Sequence, residues 1–91
     1  MPEGETFGWN RMGCADEAYK RGRTLFGMEA GACWIPRTEV SAETVAARSP
    51  AFLGSTDAQC GADGASHSMH LYNVSTGPTA MTPGTAPCCI M

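Results

Sequence analysis

The sequence predicts a mostly irregular or disordered, α-leaning chain with one or two short helices within residues 15–48 and a flexible Pro/Thr/Gly-rich C-terminal tail. Three observations lead there. Only 11 of the 91 residues are Leu, Ile, Val or Phe, so the hydrophobic fraction of 43% is carried largely by Ala, Met and Cys. A chain this short buries a small share of its surface, and so few large apolar side chains return little against the entropy of ordering the backbone. Turn-formers are scattered throughout, with 11 Gly and 6 Pro. Finally, residues 64–91 contain no Asp, Glu, Lys or Arg.

Taken in order, residues 1–14 place Pro2, Gly4, Gly8 and Gly13 around isolated Phe7 and Trp9 and read as an irregular arm. Residues 15–48 form a weakly helical region. Ala15, Ala18, Tyr19, Gly22, Leu25 and Phe26 recur at helical spacing, and Gly22, Gly27 and Gly31, each costing about 1 kcal/mol against Ala, end that helix near Gly27. Ala32-Cys33-Trp34-Ile35, closed by Pro36, is a short extended piece. Ser41 as N-cap, Glu43 in the first turn and Arg48 before Pro50 mark a second helix with a thin apolar face of Ala42, Val45 and Ala46. Residues 49–63 are expected to be loop. Residues 64–91, with Pro78, Pro83 and Pro87 among Thr and Ser, are expected to be an uncharged flexible tail.

Composition also narrows the function classes. Six Lys and Arg against nine Asp and Glu give a net charge of −3, which argues against nucleic acid as a partner. Lys20-Arg21-Gly22-Arg23 reads as a solvated face. The first residues carry no basic region followed by an apolar stretch, and no run approaches the roughly 18 to 20 apolar residues of a membrane span, so a cytoplasmic location is expected. In a reducing cytosol the five Cys would be thiols, and a disulfide-stapled domain is not expected. For the same reason the sequon Asn73-Val74-Ser75 reads as chance.

The sharpest motif is the last four residues, Cys88-Cys89-Ile90-Met91. A C-a-a-X box needs a Cys four from the end, an aliphatic residue two from the end and a terminal residue such as Met that selects farnesyl, so Cys88 is the candidate lipidation site. One lipid chain without a polybasic segment gives reversible membrane association, with a prenyltransferase and the membrane surface as partners. The double Cys followed by two residues resembles the ends of Rab-type small GTPases. That resemblance covers only these four residues, and the chain has no G-x-x-x-x-G-K-[ST] loop.

Cys33, Cys60, His67 and His70 are the candidate zinc ligands. A structural zinc site usually offers two Cys separated by two to four residues, which this sequence lacks, so neither a metal nor another cofactor is expected. No nucleophile elbow or phosphate loop frames a Cys or His, and the chain reads as non-enzymatic. Two alternatives remain. One is a peptide precursor, either a prenylated pheromone like those of fungi or a ribosomally made modified peptide. The other is a translated frame without selected function, suggested by Ala, Gly, Pro and Arg making up 35 of 91 residues.

Overall fold

In the computed structural model, residues 3–47 and 60–90 are described. The elements are β1 (Gly4–Phe7), α1 (Arg11–Lys20), β2 (Leu25–Glu29), β3 (Ala32–Pro36), α2 (Ala42–Ala47), β4 (Ser68–Asn73), a 3-10 turn (Pro78–Ala80) and β5 (Thr82–Ile90). The strands form one five-stranded antiparallel sheet in the order β1-β3-β2-β4-β5. The expectation of an irregular, α-leaning chain is therefore wrong. Most of the expected loop, residues 49–59, lies outside the described residues, as does Arg48 at the end of the second expected helix.

Asn10 starts α1 four residues earlier than expected, because its side chain accepts the Gly13 N–H at 2.8 Å. The helix also ends earlier, where Gly22 takes φ +74° and the Arg23 N–H closes back on the Ala18 carbonyl at 2.9 Å. Leu25 and Phe26, which fit the helical stripe, belong instead to β2. This strand lies between two others and between two layers, so Leu25, Phe26, Gly27 and Met28 are all buried. A two-residue turn, Ala30-Gly31, joins β2 to β3 with φ +49° and +81°, the mirror-image turn that matches strand twist.

Strand alternation sorts the core into two faces. Cys14, Ala15 and Ala18 of α1 cover Phe26, Met28, Cys33, Ile35, Tyr72 and Val74. On the other face Ala42 and Val45 of α2 meet Leu25, Trp34, Met69, Leu71 and Cys89. The expected tail supplies two of the strands. Met69 and Leu71 point to one face and Tyr72 to the other, a period-2 pattern that lack of charge concealed. Between His70 and Tyr72 the register slips, so residues 84–87 of β5 stand against Leu71 alone. Prolines are tolerated there because β5 is an edge strand. The small and soft residues discounted as core material do much of the filling, since Met28, Met69, Cys14, Cys33, Cys89, Ala15 and Ala18 are all fully buried.

Two disulfides fasten these layers. Cys14–Cys33 joins α1 to β3, and Cys60–Cys88 joins the start of the 60–67 segment to β5, with Cα separations of 5.4 and 5.8 Å that suit a bridge. Stapling, which the sequence does not lead one to expect, is thus part of the fold. No helix among the described residues is long and apolar enough to cross a membrane.

Candidate functional site

Cys88, the candidate lipidation site, is 1% exposed. Its sulfur is bonded to Cys60. It stands directly across from His70 of β4, on the face covered by α1. The His70 ring lies parallel to Tyr72 with centroids 4.4 Å apart. Its Nδ1 is 2.7 Å from the Gly61 carbonyl, which fixes the proton on Nδ1, while Nε2 is buried without a partner. Tyr72 donates its hydroxyl to the Ala62 carbonyl at 2.7 Å and receives a hydrogen bond from Arg11 at 3.4 Å. Arg11 also reaches Asp63 at 3.9 Å, and the Tyr72 hydroxyl pushes the guanidinium further toward its charged form. Segment 60–64 is thereby tied down by a covalent bond, two ring side chains and a cation. Gly64 completes the seat at φ +73°, where a Cβ would strike the Met28 carbonyl.

The four candidate zinc ligands do not converge. Cys33 is bridged to Cys14. Cys33 and His70 both stand across from Met28, on the two sides of β2, hence about 10 Å apart at two strand spacings. His67 is exposed in a turn at φ +64°. Cys60 and His70 are neighbours through Gly61, and no metal-binding group of three ligands occurs among the described residues. Cys89, next in sequence to Cys88, faces the opposite side with Met69 and Leu71, and burial pushes its thiol up, which suppresses the thiolate.

A second feature lies outside α1. Phe7 and Trp9 stack with centroids 4.5 Å apart and planes 5° from parallel, and the Arg21 guanidinium sits 4.9 Å from the Phe7 centroid. Trp9, Met12 and Tyr19 are 40%, 63% and 50% exposed. Met12 and Tyr19 are seven apart and share one stripe of the helix, with exposed Asp16 between them. Tyr19, assigned to the inward stripe from the sequence, thus points out. A signal was present: Trp9, Met12, Asp16 and Tyr19 repeat at helical spacing once the helix starts at Arg11. Of the basic cluster, Arg21 pairs with Glu17 at 2.8 Å and Glu5 at 3.6 Å, and Arg23 bonds the Pro36 carbonyl at 3.0 Å, so these cations wire elements together.

No protein family, curated protein or solved structure matches this chain.

Proposed function

We propose that this chain is a non-enzymatic, disulfide-stapled domain of an oxidising compartment that holds a polypeptide partner on the outer face of α1. The observation carrying this reading is the exposure of Trp9, Met12 and Tyr19 in a chain short of large apolar side chains. A fold that fills much of its core with Ala, Cys and Met while leaving Trp9, Met12 and Tyr19 partly exposed around α1 has a use for them there. Trp, Tyr, Met and Arg are also the residues enriched where protein partners meet. The bordering charges are of both signs, Arg11, Lys20 and Arg21 beside Glu5, Asp16 and Glu17, which suits a polypeptide rim better than an anionic membrane. The compartment follows from the two bridges, which persist where thiols are not kept reduced.

A photo-crosslinking side chain at Met12, with one at Arg37 as control, tests this reading. The partner captured from Met12 alone, purified and titrated, should bind the Trp9→Ser/Met12→Ser/Tyr19→Ser variant at least about tenfold more weakly. Equal affinity, or no capture specific to Met12, refutes the surface.

A second reading keeps the lipid. Cys88, Ile90 and Met91 fit the C-a-a-X box, and among the described residues β5 pairs only with β4, so opening the Cys60–Cys88 bridge and unzipping that ladder frees the thiol. Intact mass separates the two readings. The first expects a chain lighter by two hydrogens per bridge, whereas the second expects loss of the last three residues and gain of an isoprenoid.

A further inference from the structure

We infer that Asn73 accepts an N-linked oligosaccharide. The inference rests on the oxidising compartment proposed above and adds a modification to it. Asn73-Val74-Ser75 is a sequon with Val in the middle position, where only Pro would forbid transfer.

The fold places this sequon where the chain leaves the end of β4. Asn73 is the last residue of β4, partly exposed, with Thr82 of the edge strand on one side of it. Val74 is fully buried and anchors the strand end, with its N–H bonded to the Thr24 carbonyl at 2.9 Å. Ser75 and Thr76 then turn out into solvent. Asn73 Oδ1 accepts both the Ser75 N–H at 2.9 Å and the Ser75 hydroxyl at 2.6 Å, closing an Asx turn. The two residues that define the sequon are thus held against each other. The carbonyl half of the amide is engaged, while Nδ2 makes no hydrogen bond among the described residues and is not among their buried unpartnered atoms.

In the reaction, Nδ2 attacks the anomeric carbon of an oligosaccharide carried on a polyisoprenyl diphosphate. The N–C bond forms as the bond from that carbon to the phosphate oxygen breaks. The diphosphate leaves with its electron pair, and Nδ2 loses one proton. The transferase and the lipid-linked sugar come from the compartment. The protein supplies an acceptor at the last residue of β4, between Leu25 and Thr82 in the sheet and followed by two exposed residues, Ser75 and Thr76, after buried Val74.

The test is expression of the whole chain behind a cleavable secretion signal in a eukaryotic host, with intact mass measured on non-reduced protein from the secreted and retained pools. The expected result is a chain with both bridges that carries a glycan removable by an amidase, leaving Asp at position 73. The glycan should be lost in Asn73→Gln and Ser75→Ala and kept in Ser75→Thr. A bridged chain without sugar overturns this inference and leaves the compartment standing. A chain whose bridges do not form overturns the compartment and the inference with it.

Discussion

The two faces of the sheet are held by different means. The α1 face carries both bridges, the His70–Tyr72–Phe26 ring stack and the Arg11 contacts, so covalent and polar links bind a ten-residue helix and segment 60–64 to the strands. The α2 face has a six-residue helix, with Ala42 and Val45 inward among its described side chains, and a buried thiol. The difference shows how a chain poor in large apolar residues divides its stability. Crosslinks reinforce the larger apolar cluster on one face, and the other depends on a smaller set of close contacts.

Removing the crosslinks should have the largest effect. Loops of 19 and 28 residues lose about 3 kcal/mol each when opened. Reduction should therefore abolish the urea transition, whereas Cys14→Ala/Cys33→Ala alone should shift it and spare the Cys60–Cys88 bridge. An unchanged midpoint after reduction would erase the contrast between the faces. The next largest effect belongs to the α2 face. Val45→Ala deletes two methyl groups from a fully buried side chain and should cost about 2 kcal/mol, with amide exchange rising first in α2. Exchange rising equally in α1 would show that the faces fail together.

The β2–β3 hairpin is shared by both faces and serves as a neutral reference. Ala30 pays for φ +49° with a Cβ in a crowded region, so Ala30→Asn should stabilise by about 1 kcal/mol without altering the amide-exchange difference between the faces. The smallest effect concerns the surface of α1. The hydrogen bond from Arg21 holds the Glu17 carboxyl below its ordinary value. A depressed carboxylate stabilises above its unfolded pKa and loses that contribution as pH falls through the folded one. Glu17→Gln should therefore lower the melting temperature slightly at neutral pH, less in high salt, and not at all in acid below the carboxylate range. An undiminished difference in acid would remove the ion pair as its cause.

Some of this was legible in the sequence. The expected second helix nearly coincides with α2, and the expected extended piece Cys33-Trp34-Ile35 lies in β3, because Ser41 and Pro36 give local signals that tertiary structure does not override. Leu25 and Phe26 fit a helical stripe in the sequence because a buried central strand and such a stripe look alike over a few residues, and the break at Gly22 together with pairing to β3 and β4 makes them a strand. The strands in 64–91 leave little trace in the sequence because their core is Met, Cys and Leu71 with Tyr72, and uncharged chain rich in Pro and Thr has the composition of a linker. Pairing of Cys14 with Cys33 and of Cys60 with Cys88 depends on long-range register, which no spacing rule contains. The aromatic surface was hidden by placing the helix start at Ala15 instead of Arg11.

The adjacent cysteines of β5 have a consequence for how the chain matures. Because Cys88 and Cys89 point to opposite faces, Cys60 can reach Cys89 only if the strand has slipped by one residue and turned inside out. The wrong bond would then fix Met69 and Leu71 against a reversed strand. Formation of the Cys60–Cys88 bridge thus depends on alignment: the correctly seated edge strand presents Cys88 to Cys60, and a Cys60–Cys89 isomer returns to the native pair when the Cys88 thiolate attacks the Cys60 sulfur and releases the Cys89 thiolate.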